Sequence, residues 1–219
     1  MREGWAVVCD FDGTALTEDL GDAVSQRFAG HDTWRRAEDE YAAGAFTFGE
    51  LLRRIFEPIT AGDDEIARFA CERAVLRAGF ETFLAACARN GRPFVICSAG
   101  LDVYIEPVLA RLPPHLRAHV ELRSNRAHCS LSGMRLEFHR PARADGCGHC
   151  GFCKGSVVRE LQAAGHKVVV CGDGTADRCA ADAADFVFAT RRLVEHCQER
   201  ALAHRPFQDF HEVMASFPR

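Results

Sequence analysis

The stretch Val7-Val8-Cys9-Asp10-Phe11-Asp12-Gly13-Thr14 constrains this chain more than any other. A short apolar run, Trp5 to Cys9, reads as a strand and ends in two carboxylates one residue apart. Alternation along an extended backbone puts Asp10 and Asp12 on the same side, and Gly13 permits a sharp turn directly after them. Two carboxylates held together at a strand end repel each other unless a cation or a shared proton lies between them. Such a pair suits a site with one nucleophilic Asp, one acid/base Asp and a divalent metal. The bland alternative is an acidic turn after a core strand; the apolar strand before it and Gly-Thr after it favour chemistry.

Three further features follow in order. Val95-Ile96-Cys97-Ser98-Ala99-Gly100 is a second apolar strand ending in a hydroxyl and small residues. Lys154 opens a helix-like segment, Gly155 to Ala164. Val168 to Cys171 is another apolar strand, ending in Gly172-Asp173-Gly174-Thr175-Ala176-Asp177 with two acids four apart. The set Asp-x-Asp-Gly-Thr, Ser, Lys and Gly-Asp-x-x-x-Asp resembles the four motifs of the haloacid dehalogenase superfamily of phosphohydrolases. For each residue a plainer role exists: Ser98 as a helix cap, Lys154 as a solvated lysine, Asp173 and Asp177 as turn and cap residues.

Strands and helices alternate, which predicts a parallel sheet with right-handed crossovers. The expected strands are Trp5–Cys9, Phe94–Cys97, Val120–Arg123, Val168–Cys171 and Phe186–Ala189. The expected helices are Phe80–Asn90, Val103–Leu112, Gly155–Ala164, Asp177–Ala183 and Arg192–Ala201. Buried parallel strands place a ligand at their carboxyl ends. A hairpin turning at Ser132-Gly133 is expected near Cys129 to Leu136. The stretch 15–79 breaks the rhythm and reads as several helices. Asp32 is a candidate N-cap there, and Thr47-Phe48-Gly49-Glu50 has a capping-box pattern ahead of Leu51, Leu52, Ile55 and Phe56. The expected fold is therefore α/β, a Rossmann-like parallel sheet with an inserted all-helical cap. Residues 1–14 and 80–219 form the core and 15–79 the cap. By its place, the insertion resembles the superfamily's cap domain, which covers the site, excludes water and selects substrate.

The resemblance implies a role for each motif residue. Asp10 is the nucleophile and forms an aspartyl phosphate. Asp12 protonates the leaving alkoxide and then activates water. Ser98, with main-chain groups around Ala99 and Gly100, binds phosphoryl oxygens, and Lys154 neutralises charge. Magnesium is held by Asp10, Asp12 through its carbonyl, and Asp173, with Asp177 in support. Gly13, Thr14 and Gly174 complete the phosphate loops. Resemblance to the methionine-salvage hydroxy-keto-methylthiopentenyl phosphate phosphatases covers nearly the whole chain. It includes Cys-Gly-Phe-Cys-Lys-Gly around Lys154, the run Ala180 to Ala189, and the tail His204 to Phe210. Phe207 and Phe210 also read as simple docking of the C-terminus. Phosphoserine and phosphoethanolamine/phosphocholine phosphatases are similar too. For the phosphoserine branch, Asp19 matches an acidic residue nine positions after the nucleophile, and Arg53 or Arg54 a substrate-binding cap arginine. Asp19 is equally a candidate cap of the first cap helix.

The expected activity is magnesium-dependent phosphomonoester hydrolysis of a small cytoplasmic metabolite, by a monomer or homodimer. A phosphoserine or phosphoamine substrate is the alternative, and a non-catalytic binding or regulatory protein on the same fold is the alternative of another class. A formal charge of -4 and a pI near 6.2 argue against nucleic acid as a partner. No apolar run approaches the roughly 18 residues of a membrane span, and no signal-peptide pattern opens the chain. Eleven cysteines in a chain of 219 residues form an odd count, which reads as reduced thiols rather than a disulfide scaffold. Cys9, Cys97 and Cys171 read as small buried hydrophobes. Cys147, Cys150 and Cys153 lead into Lys154. They are candidates for structural zinc, with His128, Cys129 and His139 upstream, for redox-active thiols, or for a plain cysteine-rich loop.

Overall fold

The computed structural model describes residues 4–139 and 150–218. Seven strands form one sheet: β1 (Trp5–Cys9), β2 (Phe94–Leu101), β3 (Val120–Ser130), β4 (Gly133–Glu137), β5 (Lys167–Gly172), β6 (Phe186–Ala189) and β7 (His204–Pro206). Their order is β4-β3-β2-β1-β5-β6-β7. Every neighbouring pair is parallel except β3 with β4. The sheet therefore grows outward on one side of β1 and resumes on the other side with β5. That makes the carboxyl end of β1 a switch point, where a crevice opens.

The apolar runs are continuous because both faces of the sheet are covered. On one face Val7, Cys9, Phe94, Ile96, Val169 and Cys171 pack with Phe80, Phe83 and Phe210. On the other, Val8, Val95, Val168 and Val170 pack with Val157 and Val158. The covering helices are α5 (Phe80–Arg89), α6 (Asp102–Leu109), α7 (Pro114–Arg117), α8 (Lys154–Ala163), α9 (Arg178–Ala181), α10 (Arg192–Glu199) and α11 (Phe210–Ala215); α1 to α4 belong to the insertion. Phe207 and Phe210 are buried, and the Phe210 ring lies 5.3 Å from Phe80 and 5.7 Å from Phe83. The tail docks as its aromatic residues suggested, and it also contributes β7, which the sequence pattern did not reveal.

Between β1 and α5 the chain forms four α-helices: α1 (Leu20–Phe28), α2 (His31–Ala42), α3 (Phe48–Phe56) and α4 (Asp63–Arg73). Thr47 Oγ accepts from the Glu50 amide at 3.4 Å and caps α3. Leu51, Leu52, Ile55 and Phe56 form its buried stripe, the spacing of one helix face. Asp32 is not the cap of α2: the cap is Gly30, two residues earlier at φ 96°, and Asp32 sits in the first turn. A short bridge, Leu16 to Leu76, joins the two connections to the core. Across it Thr17 N donates to Val75 O and Arg77 N to Ala15 O.

Several boundaries moved, among them those of β2, of β3, which runs on to Ser130, and of the hairpin. β2 runs on through Ser98 to Leu101 past an irregularity in its pairing with β3, so the phosphate-loop candidates extend a strand rather than leave it. The hairpin turns at Leu131-Ser132, with Ser130 paired to Gly133. Among the described residues no helix is long and apolar enough to cross a membrane.

Candidate active site

β1 delivers Asp10 to the sheet's carboxyl end, and Gly13 at φ 71° folds the following loop back over it. A side chain at that φ would be strained. Lys154, first residue of α8, is buried and places its Nζ 2.5 Å from Asp10 Oδ1 and 2.6 Å from Asp177 Oδ1. The other oxygen of Asp177 accepts the amides of Asp173 and Gly174 at 2.9 and 3.0 Å. Thr14 Oγ donates to Asp10 Oδ2 at 3.4 Å. Three segments far apart in sequence thus meet in one charged cluster.

The balance of charge there is unequal. Burial, and next the Asp177 carboxylate, push the Asp10 carboxyl well above the usual range, against the pull of Lys154. Burial and Asp177 also raise Asp173. Burial works against the charge on Lys154, but Asp10 and Asp177 outweigh it and keep it protonated. Oxygens of Asp10, Asp173 and Asp177 lie within 4.8 Å of one another. A set of hard carboxylate oxygens short of positive charge fits magnesium.

Asp12 faces the other way, toward the insertion. Its Oδ1 accepts the amides of Leu20 and Gly21 at 3.0 and 3.3 Å, at the start of α1. Its Oδ2 accepts the Tyr104 hydroxyl at 3.0 Å and lies 3.5 Å from Ser98 Oγ. Burial, then the Asp19 charge, raise its carboxyl to about 7, opposed by the Tyr104 hydroxyl and the two amides. A carboxyl poised there exchanges protons readily near neutral pH. Ser98 Oγ also accepts from Gly100 N at 2.9 Å, which fixes the loop. Asp19 both caps α1, accepting from Asp22 N at 2.8 Å, and lines the cavity.

The cavity above these groups measures about 490 Å³. Its floor is Asp10, Asp12, Ser98, Ala99, Gly100, Lys154, Asp173, Gly174 and Asp177. Its roof is apolar: Phe48, Leu51, Leu52, Ile55 and Phe56 of α3, with Tyr41. Asp22 and Glu38 form an acidic side wall, and Arg191 and Arg192 also border it. Gly13 and Thr14 lie beneath the floor as buried loop residues.

Arg54 is the departure. Expected against substrate, it lies outside the cavity lining. Its guanidinium is drawn to Glu40 at 2.6 Å and Glu50 at 3.1 Å and rests over the Phe46 ring. Arg53 likewise pairs with Glu57 at 3.0 Å and lies over Phe138.

Three residues escaped the sequence reading. Tyr104 lies in α6 as one aromatic among core residues. Arg77 donates to the carbonyls of Gly13, Thr14 and Leu16 at 2.6, 2.7 and 3.3 Å and so braces the loop after β1. Arg191, in the left-handed region at φ 48°, donates to Asp173 Oδ2 at 3.1 Å and to Thr17 O at 3.0 Å. Neither its positive φ nor these partners can be read from the sequence.

Among the cysteines, Cys147 lies outside the described residues. Cys150 and Cys153 are joined by Cys179, not by His128, Cys129 or His139. His128 Nε2 contacts Glu137 at 3.1 Å instead, and His139 Nε2 lies 3.6 Å from it.

The model of haloacid dehalogenase-like hydrolases matches residues 7–182. A 2-hydroxy-3-keto-5-methylthiopentenyl-1-phosphate phosphatase of Geobacillus thermodenitrificans is 33% identical, covering 100% of this chain and 98% of that protein. A protein of the same name from Bacillus velezensis is 31% identical over 94% of this chain and 87% of its own length. A substrate-bound phosphoserine phosphatase structure superposes with a TM-score of 0.74 at 16% identity, covering both chains completely, a likeness of fold. The four motifs, the sheet order and these matches agree: the chain belongs to the haloacid dehalogenase-like hydrolase family.

Proposed function

We propose that the protein is a magnesium-dependent phosphomonoesterase whose substrate carries an apolar tail, most like the methylthiopentenyl phosphate of its named relatives. In this reading Asp10 Oδ attacks phosphorus, and the bond from phosphorus to the ester oxygen breaks. Asp12 gives its proton to the departing alkoxide. The aspartyl phosphate is then hydrolysed by water that loses its proton to Asp12, which restores both carboxyls. Ser98 and the main-chain amides beyond it hold phosphoryl oxygens, and Lys154 offsets their growing charge. Asp10, Asp173 and the Asp12 carbonyl, with Asp177 behind them, would hold the magnesium ion. When bound, the ion supplies the positive charge that three crowded carboxylates and a phosphate require.

The observation that carries the substrate class is the roof. Phe48, Leu51, Leu52, Ile55 and Phe56 present an apolar surface across the cavity from Asp10, and Arg54 is turned outward. An amino-acid phosphate would leave its carboxylate against that surface, whereas an alkylthio tail would be buried by it. A second reading has support of its own. Asp19, Asp22 and Glu38 form an acidic wall suited to the amine of phosphoserine or phosphoethanolamine. A non-catalytic role accounts poorly for Asp10, Asp12 and Lys154 assembled in one cavity.

Phosphate release measured with magnesium separates these readings. The panel is the methylthiopentenyl enol phosphate, pentyl phosphate, phosphoserine and phosphoethanolamine. The expected order puts the methylthiopentenyl ester first and the charged amines last. Phosphoserine at the head of the order would move the assignment to the second reading. No turnover of any ester would remove both.

A further inference from the structure

Cys150, Cys153 and Cys179 bring their sulfurs within 4.8 Å of one another just behind the catalytic lysine. We infer that these three thiols form a second metal site, separate from the carboxylate cluster, that takes a soft divalent ion such as zinc.

The argument begins with convergence. Cys150 and Cys153 have the two-residue spacing that lets one loop offer two sulfurs to one ion. Cys179 comes from another element, the start of α9 beyond β5. Tetrahedral zinc with bonds of about 2.3 Å sets sulfurs about 3.8 Å apart, so a small inward movement suffices. A fourth donor, solvent or other, completes the coordination. A disulfide would engage two of these sulfurs and leave the third unused, and none of the three is disulfide-bonded.

The surroundings suit thiolates. Cys153 is the N-cap of α8, where exposed amides and the helix dipole favour negative charge. The Gly155 amide points at Cys179 Sγ from 3.4 Å, so that sulfur already acts as an acceptor. The approach depends on Gly155: a Cβ there would stand 2.5 Å from the Cys179 carbonyl oxygen. Any other residue would push α8 and α9 apart and separate the sulfurs.

The placement gives the site a purpose. Cys153 precedes Lys154, and Cys179 follows Asp177 by two residues. An ion shared by the two cysteines would staple the start of α8 to α9, in addition to the 2.6 Å Lys154–Asp177 contact. It would hold the catalytic lysine and its buried partner in register while the carboxylates bind and release magnesium. The chemistry of the two sites is also orthogonal: oxygen ligands for the hard ion, sulfur for the soft one.

The test uses the full chain purified under reducing conditions without chelator. Metal analysis is expected to find stoichiometric zinc. Stripping the zinc and titrating with cobalt(II) is expected to give intense sulfur-to-cobalt charge-transfer absorption, saturating at one equivalent. Cys179→Ser should lose both the zinc and the absorption. Cys197→Ser, in α10 away from the site, should keep them, and so should Asp173→Asn, because the carboxylate cluster contains no sulfur. Wild-type protein with no zinc and no charge-transfer band would overturn the inference. So would a Cys150–Cys153 disulfide found by mass spectrometry in metal-free protein, or a band that persists in folded Cys179→Ser. Should Cys179→Ser fail to fold, the wild-type zinc content and cobalt spectrum still decide the matter.

Discussion

The floor and the roof of the cavity are built on opposite principles. On the floor the carboxylates are held by directional bonds: Asp177 alone accepts from Lys154 and two amides, and Asp12 from two amides and Tyr104. The roof, one face of α3, offers almost no polar group. Directional bonds fix positions to fractions of an ångström, as bond-making requires. Apolar contact tolerates variation in shape, as recognition of a tail allows. The same division predicts how each region fails. Floor variants should lose chemistry on every substrate, and roof variants should lose only those substrates that reach the roof.

The largest effect tests the floor. Asp10→Asn keeps the shape of the side chain but removes the proposed nucleophile. Turnover should fall at least about 1,000-fold on all esters, with an unchanged thermal midpoint or a raised one, since a buried charge is gone. An acid-labile phosphoenzyme should be trapped in the wild type and absent from the variant. Ordinary turnover by Asp10→Asn would mean the chemistry belongs to another residue.

Lys154→Met comes next and is read as stability. It strands Asp10 and Asp177 without their cation, which should cost about 3 kcal/mol. The sign of the pH dependence follows from Asp10, already raised by burial. At low pH the stranded carboxyl takes up a proton and the penalty shrinks; as pH rises it must ionise unpaired, and the penalty grows. Denaturant melts at pH 5 and pH 8 should show the larger loss at pH 8. An equal or larger loss at pH 5 would argue that Lys154 matters by packing rather than by charge.

The roof is probed by Phe48→Ala. Removing the ring should lower kcat/KM for pentyl phosphate about 10-fold while leaving methyl phosphate within about twofold. Parallel losses on both esters would place Phe48 with the fold and not with recognition, and would erase the contrast between the two surfaces.

This contrast also explains what the sequence disclosed. Asp10, Asp12, Ser98, Asp173 and Asp177 follow apolar runs directly, so local pattern and topology alone carry them to one end of the sheet. Lys154 and the helical nature of 15–79 were legible for similar reasons, a helix start and a missing strand rhythm. What was illegible depended on side-chain partners. Nothing in the spacing of Arg54 says that Glu40 and Glu50 take its guanidinium. Tyr104, Arg77 and Arg191 are single residues in ordinary contexts, and their roles arise only when distant segments meet. Cys179 belongs with them: the cysteine reading looked to neighbours in sequence, and the third sulfur came from the far side of α8. The extension of β3 beyond Arg123 to Ser130 and the short edge strand β7 were missed because their residues alternate or are polar.

Tyr104→Phe tests the link between floor and roof through Asp12. The hydroxyl donates to the Asp12 carboxylate and favours its charged form, so its loss should raise that carboxyl above its value of about 7. In the proposed mechanism Asp12 must be protonated to release the alcohol, so kcat/KM is expected to fall as pH rises through that value. The alkaline limb in Tyr104→Phe should therefore move to higher pH, by about one pH unit for one charge-assisted bond. A limb that stays in place, or moves to lower pH, would detach Tyr104 from the acid.

The smallest expected effect is the most pointed for the substrate. Arg54 lies in the same helix as the roof but on its outer side, half-exposed at 45%, paired with Glu40 and Glu50 and seated over Phe46. Exposed ion pairs of this kind contribute under about 1 kcal/mol, so Arg54→Ala should be nearly as stable as the wild type. The cavity does not include the guanidinium, so kcat/KM should stay within about twofold for pentyl phosphate and for phosphoserine alike. A residue that swings inward to meet a carboxylate predicts something different. Phosphoserine turnover would then drop at least about 10-fold while pentyl phosphate was spared. That selective loss would show α3 presenting a charged face to substrate in the working enzyme, and the distinction between its two faces would have to be redrawn around Arg54.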